Sequence, residues 1–293
     1  MISTTLCLLM VFSMQASSDE VSDSGSSTSE PTISQTTDTG PILSDDVPEL
    51  TFDITPGAWL LRIRGDASNG VNAPEMKLDT QLGLTDLVTA FRGEAVIARG
   101  DWSVRISGST FNTSGSTTAE EFSQWGSIQL SPGLDFTSSF DMAFASFEAG
   151  WKAWNPLGED QLSEEHPLRL GFGPHVGISW LDIDQSLTAS GETVSNGSSW
   201  WSVWGGATLD FEFDMKRFVS WMDSIRVYAM GGLGGTPIDG GFMWHVGGGF
   251  QFFFTPNIAA SIGYRYEKYN LNDGDWSVNP NFQGLFLGAT IQF

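Results

Sequence analysis

Beyond Pro48 the chain consists of short segments in which apolar and polar residues alternate, separated by residues that are typical of turns. The carboxy-terminal segment shows this most clearly. Every second residue from Leu285 to Phe293 is apolar, and the residues between them are mostly polar or small. Successive side chains of a β-strand point to opposite faces, so the pattern predicts a strand with one apolar face. No segment beyond Pro48 has a convincing helical period.

Ten strands are predicted from this alternation, near 57–65, 89–98, 102–112, 140–154, 167–181, 200–213, 224–235, 242–254, 257–269 and 282–293. Their connections alternate in length. Those at 99–101, 155–166, 214–223 and 255–256 are mostly tight, and those at 66–88, 113–139, 182–199 and 270–281 are mostly long and polar. This alternation is typical of antiparallel barrels that span an outer membrane. Residues 75–82 and 123–134 could form further strands, so twelve strands is an alternative, and eight is another.

Along the chain, the predicted strands have one apolar face and one face that carries polar and charged residues. When the parity of the last strand is carried backwards, eight of the thirteen basic residues fall on the face opposite the apolar one. On a lipid-facing wall each would cost about 2–4 kcal/mol near mid-membrane. The apolar face is therefore predicted to contact lipid. A soluble barrel or sandwich, with its apolar face inward, is the alternative.

A network of charged side chains is accordingly predicted to line the lumen. Its members are Arg62, Arg64, Arg92, Glu94, Arg105, Glu148, Lys152, Arg169, His175, Asp210, Glu212, Arg226, His245, Arg265 and Glu267. In a barrel of eight to ten strands side chains nearly fill the interior, so we interpret these residues as ion pairs that fill a narrow lumen. The alternative is a permeation path whose charged walls select solutes.

Aromatic residues near the strand ends are predicted to lie at the two membrane interfaces, where amphipathic rings are favoured. They are Trp59, Trp102, Trp151, Trp154, Trp180, Trp200, Trp201, Trp244, Tyr266 and Tyr269.

The amino-terminal fifty residues have a different composition. Residues 1–16 contain an apolar core followed by small residues, which predicts an export signal peptide. Residues 17–50 are rich in Ser, Thr and acidic residues and have few aliphatic ones, so they are predicted to be a disordered linker. Residues 51–293 are assigned to the barrel.

Charge and cysteine content narrow the function classes. A net charge of −22 excludes nucleic acid as a partner, because phosphates require a basic surface. No apolar run approaches the roughly 18 residues of a membrane-spanning helix. A single cysteine provides no disulfide framework.

Several segments resemble those of small Gram-negative outer-membrane β-barrel proteins, a group similar to OmpA-like and OmpW-like barrels. The residues that carry the resemblance are 79–86, 91–94, 99–102, 231–235, 244–250, 261–266, 272–275 and 284–293. The resemblance covers about residues 50–293 and implies an all-β, transmembrane, antiparallel up-and-down barrel. It also implies two partners: outer-membrane lipids, and the barrel-assembly machinery, which would engage the last strand and its terminal Phe293.

Few residues in the sequence suggest a catalytic or ligand-binding site. His175, Ser179 and His245 share the predicted lumen face, and a Ser–His–carboxylate triad is one interpretation. These side chains would point away from the acyl chains of a lipid substrate, however, and the sequence has no Gly-x-Ser-x-Gly turn. No catalytic, cofactor or metal site is predicted. We predict a structural or surface-displaying barrel, with a narrow porin-like channel or a lipid-modifying enzyme as the alternatives.

Overall fold

The computed structural model describes residues 50–153, 167–237 and 241–293. The predicted signal peptide, the linker up to Glu49, Trp154 and His166 lie outside these residues. The strands of the described residues are β1 (Leu50–Asn69), β2 (Met76–Lys77), β3 (Val88–Arg99), β4 (Trp102–Thr118), β5 (Ser123–Trp125), β6 (Ile128–Leu130), β7 (Asp135–Trp151), β8 (Leu168–Ala189), β9 (Glu192–Asp214), β10 (Ser224–Gly235), β11 (Phe242–Thr255), β12 (Ile258–Asp273) and β13 (Trp276–Gln292).

Ten of these strands form one closed antiparallel barrel. Their order is β1, β3, β4, β7, β8, β9, β10, β11, β12, β13, and β13 pairs with β1 to close the sheet. The predicted ten-stranded barrel is therefore confirmed. The strand β2 pairs only with β1, and β5 and β6 form a separate hairpin, so the segments considered for twelve strands belong to the connections. The described residues contain no helix that is long and apolar enough to cross a membrane.

The strands are longer than predicted at one end of the barrel. The segment 182–199 was predicted to be a long polar loop, but β8 and β9 continue through it and meet at Ser190 and Gly191. Both turn residues have positive φ angles, 53° and 84°, the geometry that matches the twist of a tight hairpin. Likewise β12 and β13 continue through most of 270–281 and meet at a turn of Gly274 and Asp275. The prediction of long loops was wrong in these two places.

The barrel has two halves with opposite chemistry. The membrane half extends from the short turns to the row that contains Trp180, Trp201, Trp244 and Tyr266, and the outer half extends from there to the hairpin tips. In the membrane half the outward residues are mainly apolar. On β8 they extend from Leu168 to Trp180, which spans about 30 Å for tilted strands. This height matches the hydrocarbon core of a bilayer.

In the outer half the outward residues are hydrophilic. Hydroxyl pairs join neighbouring strands across this wall, including Ser139 with Ser186 at 2.7 Å and Thr188 with Thr193 at 2.8 Å. The inward residues of the same strands are apolar and buried, for example Ile183 and Leu187 on β8. The outer half therefore has the organisation of a water-soluble barrel.

Strand β1 crosses from one half to the other, and this overturns the prediction for two arginines. Its inward residues include Trp59, Leu61 and Ile63, each no more than 1% exposed, whereas Arg62 and Arg64 lie on the outer wall. The prediction that these arginines line the lumen was wrong. It took apolar residues to be lipid-facing throughout, but at this height the outside is polar and the apolar side chains form the core.

Most of the predicted interface aromatics do face outward. Trp102 and Trp151 stack at 6.1 Å near the short turns, while Trp244 and Tyr266 stack at 4.8 Å at the upper edge of the membrane half. Trp59, Trp200 and Tyr269 instead are buried inside the barrel, which corrects the prediction for those three. Their rings fill the interior of the barrel, which lipid does not reach.

Candidate functional site

The lumen of the membrane half contains three groups of ion pairs, and the first centres on Glu212 of β9. Arg226 of β10 donates to it at 3.1 Å, and the Ser224 hydroxyl donates at 2.8 Å. Arg169 of β8 pairs with the same carboxylate. The strand register places Arg169 and Arg226 directly opposite Glu212 on either side. Two cations thus share one anion that backbone pairing holds between them.

The second group centres on Arg105 of β4. Its guanidinium lies 3.2 Å from Glu94 of β3 and 3.1 Å from Glu148 of β7. The Nδ1 atom of His175 is 3.7 Å from the same oxygen of Glu148. Each of these side chains occupies an inward position, so the group crosses four consecutive strands of the wall.

The third group is the most buried. Glu267 of β12 is 1% exposed, lies 3.7 Å from Arg92 of β3 and pairs with Arg265. The Tyr269 hydroxyl donates to Glu267 at 3.0 Å, and the Arg92 guanidinium lies 5.9 Å from the ring centroid of Trp59. A buried charge that loses its partner is strongly destabilising, so the charges of this third group, which lies at the boundary between the two halves, depend on one another.

The ring of Trp204 packs between two histidines next to this boundary. Its centroid is 5.3 Å from His175 and 4.8 Å from His245, both edge to face. Glycines on the adjoining strands make the space: a Cβ atom on Gly206 would lie 2.5 Å from His175, and one on Gly232 would lie 2.7 Å from His245. The inward glycines of β9 and β10 are therefore required by the close approach of these rings.

Above these groups the lumen is filled by an apolar plug. Phe111, Phe140, Phe282 and Tyr269 form a cluster with ring centroids 5.7–6.2 Å apart. Residues from the outer connections fold inward and cover it; they are Leu78, Leu82, Leu84, Trp125, Ile128 and Leu130. The interior of the outer half is thus a packed core.

Below the boundary the lumen is partly open. A cavity of about 420 Å³ begins at Gly100 and Asp101 of the β3–β4 turn and is bounded at its inner end by Arg92 and Arg265. Its wall includes members of all three ion-pair groups. The cavity is therefore a polar vestibule that opens at the short-turn end and meets the packed core at the other.

The structure brings the remaining residues of the predicted charged network together in the interior. Apart from Arg62 and Arg64, all of them occupy inward positions, and Lys152 and Asp210 line the cavity. Several polar residues of the cavity wall were not predicted, among them Asp53 and Tyr228. Asp53 precedes the predicted first strand, and the alternation of Leu50, Phe52 and Ile54 with polar residues was the signal that this strand begins earlier and that its odd-numbered residues face inward.

The candidate triad is not assembled. The Ser179 hydroxyl contacts the sulfur of Met243 at 3.7 Å, and the carboxylate near His175 belongs to the Arg105 group. In the part of the chain that the structure describes, no group of three or more His, Cys, Asp or Glu side chains is arranged to hold a metal ion.

No protein-family model matches the chain, and neither does any curated protein. Among solved structures the chain is similar to the outer membrane protease OmpT from Escherichia coli, with a TM-score of 0.45 and 9% identity over 83% of this chain and 97% of that one. It is also similar to Ail, the attachment invasion locus protein of Yersinia pestis, in complex with the heparin analogue sucrose octasulfate (TM-score 0.34, 14% identity, 84% and 99% covered). A third is Neisserial surface protein A (0.34, 12%, 83% and 97%). Identities and TM-scores this low carry no information about activity.

The closed barrel and the residues on its outward face define the class of protein. A strand structure spans a membrane only as a closed barrel, because an open edge would leave backbone groups unpaired in hydrocarbon. This barrel is closed, has an even number of strands and carries an outward apolar band with aromatic residues at both edges. These are the features of bacterial outer-membrane barrels. The protein is an outer-membrane β-barrel.

Proposed function

We propose that this protein is a closed barrel with a structural or surface-displaying role. The packed interior of the outer half is the observation that carries the proposal. Trp59, Phe140, Trp200 and Phe282 are each no more than 1% exposed in the middle of the lumen. A solute that entered the vestibule would have to displace this core, since interiors of this kind are close-packed.

The ion-pair groups support the same role. In a permeation path charged walls attract solutes and then release them. Here each lumen carboxylate of the three groups has an arginine partner. The partner lies on another strand for Glu94, Glu148 and Glu212, and Glu267 has a partner on the same strand. We infer that these charges hold the strands at a common register, and that the hydrophilic outer half with its hairpin tips is what the barrel displays.

Two further assignments belong to this proposal. We infer that the protein is not an enzyme, because among the described residues Ser179 contacts Met243 and the carboxylate beside His175 is engaged by Arg105. We also infer that the last strand is engaged by the barrel-assembly machinery. That strand completes the closure of the barrel: Phe293 donates its backbone N–H to Phe52 at 2.9 Å, and their rings lie 6.1 Å apart.

Conductance across a planar bilayer tests the closed lumen. The refolded wild-type protein is expected to show no stable single-channel steps. A Phe140→Gly/Phe282→Gly variant removes two rings of the plug and is expected to conduct, whereas Leu285→Gly, on the lipid-facing side of β13, is expected to remain closed. Stable steps in the wild type that disappear in Arg265→Gln would contradict the proposal and support the narrow channel.

A further inference from the structure

Three basic side chains lie together on the outer wall, just beyond the apolar band. They are Arg62 and Arg64 of β1 and Lys268 of β12, and all three are exposed. Arg62 and Lys268 have no ion-pair or hydrogen-bond partner in the part of the chain that the structure describes, and Arg64 has only Asp79 at 3.8 Å. The arginines of the three lumen groups, in contrast, each have a carboxylate partner.

The strand register brings these cations close to one another. Arg62 is opposite Gln283, and Arg64 is opposite Asn281, which is itself opposite Lys268. Neighbouring strands are about 4.8 Å apart, so β1 and β12 are separated by about 10 Å across β13. Arg62 and Arg64 are alternate residues of one strand, about 7 Å apart. A single phosphorylated headgroup can span such a cluster, and arginine pairs with phosphate in bidentate geometry.

The wall beneath the cluster is apolar. The adjoining row consists of Leu60, Leu285 and Tyr264, which are mutually paired across β1, β13 and β12, and Leu285 and Tyr264 are 48% and 49% exposed. The stacked pair of Trp244 and Tyr266 lies beside Lys268. A ligand with phosphate above and acyl chains below would match this surface, whereas a free anion would leave the apolar row without a contact.

The opposite side of the barrel has the opposite charge. Asp141 of β7 and Asp182 and Asp184 of β8 lie just beyond Trp180 on the outer wall, and Asp141 is directly opposite Asp184. In the closed order of ten strands, β7 and β8 lie across the barrel from β12, β13 and β1. In a protein with a net charge of −22, a cationic surface confined to one side at the level of the headgroups is a specific feature.

We propose that Arg62, Arg64 and Lys268 form a binding site for the phosphate groups of an acylated, phosphorylated lipid of the outer leaflet. This site is independent of the lumen and of whether the barrel conducts.

Binding of lipid A to the refolded full chain in zwitterionic detergent tests the proposal, with the bisphosphorylated lipid and its dephosphorylated form as paired probes. The phosphorylated form is expected to bind more tightly, and added salt should reduce the difference because surface charges are screened. Each of Arg62→Gln and Lys268→Gln is expected to weaken binding about fivefold, from the roughly 1 kcal/mol that a basic residue contributes near an anionic lipid surface. The double variant should weaken it about 25-fold.

Arg99→Gln is the matched control, since Arg99 is an exposed arginine on the outer wall at the short-turn end. It should bind lipid A as the wild type does, and heat-modifiable gel mobility verifies that each variant is folded. Equal affinity for the two lipid forms, or unchanged affinity in the double variant, would overturn the proposal. Displacement of lipid A by millimolar inorganic phosphate would also overturn it, by showing a site for soluble anions.

Discussion

The membrane half and the outer half of this barrel are built from the same strands with the same side-chain parity. Nevertheless, apolar side chains face outward in the membrane half and inward in the outer half. Along β13, Leu285, Leu287 and Ile291 face outward in the membrane half, and Phe282 and Val278 face inward in the outer half. The change occurs within a few residues. What differs between the halves is the surrounding medium, hydrocarbon for one and water for the other.

The difference shows what holds each half together. In the outer half, burial of apolar side chains away from water contributes about 1.5–3 kcal/mol for each fully buried Leu, Ile or Phe. In the membrane half the outside is already apolar, so moving such side chains inward would gain little. Its interior can therefore hold charges, provided that each charge is paired.

A charge placed inside the outer half should have the largest effect. Leu61→Arg puts an unpaired cation into a fully buried position, and we expect a loss of about 3–5 kcal/mol, the range for an uncompensated buried charge. Denaturant unfolding in lipid vesicles, followed by tryptophan fluorescence, measures the change.

The neighbouring Arg62→Leu variant is the control for this prediction. Arg62 faces outward, so its replacement should change the free energy of unfolding by no more than about 0.5 kcal/mol. If Arg62→Leu were the more destabilising of the two, the assignment of inner and outer faces on β1 would be reversed.

A charge placed on the outer wall should distinguish the two media. Leu287 lies in the middle of the lipid-facing row of β13, and Leu287→Arg is expected to cost about 2–4 kcal/mol. Ser195→Arg, on the outward face of β9 in the outer half, should cost no more than about 0.5 kcal/mol. The same unfolding assay compares them, and equal costs would mean that both positions contact the same medium.

The smallest effect concerns the acidic side of the outer half. Partial burial raises the pKa of Asp141, and the carboxylate of Asp184 raises it further; burial and Asp182 likewise raise the pKa of Asp184. A carboxyl with a raised pKa favours the folded state when protonated. Its stabilising contribution is therefore complete below the unfolded pKa, near 4, and is lost as the pH rises through the folded one.

At pH 7 the Asp141→Asn variant should accordingly be more stable than the wild type by a few tenths of a kcal/mol, the size of a repulsion between like charges across two strands. This advantage should shrink as the pH is lowered towards 4. Unfolding midpoints measured at pH 7, 5.5 and 4 test this trend, with Asp273→Asn at an exposed turn as the control. A difference that grows on acidification would contradict it.

Much of the fold was accessible from alternation alone. The ten strands were located because the outward residues of the membrane half are continuous apolar rows, as in 258–266 and 285–293. The outer ends of the strands were missed because serine, threonine and glycine dominate them, a composition shared with loops. In 182–199 the inward Ile183 and Leu187 were the remaining signal of a strand, and two apolar residues were too few to outweigh the loop-like composition.

The charged lumen was predictable in part for the same reason. Inward positions follow from parity, so residues such as Arg105, Glu148 and Glu267 could be assigned from their strands. Their partners could not, because Arg92 of β3 and Glu267 of β12 are far apart in sequence and meet only when the barrel closes. The packed core could not be predicted either. Leu82 and Trp125 come from connections, and the sequence of these connections has no periodic pattern that indicates inward folding.

The sequence by itself determined the strands and which residues share a face, because a period of two is a property of the extended backbone. Only the tertiary structure decided how high each residue stands along the barrel, since this depends on the register of ten strands and on their closure. Height determines whether an outward side chain meets hydrocarbon or water. That is why Arg62 and Arg64 belong on the outer wall, although the apolar face of the last strand suggested the opposite.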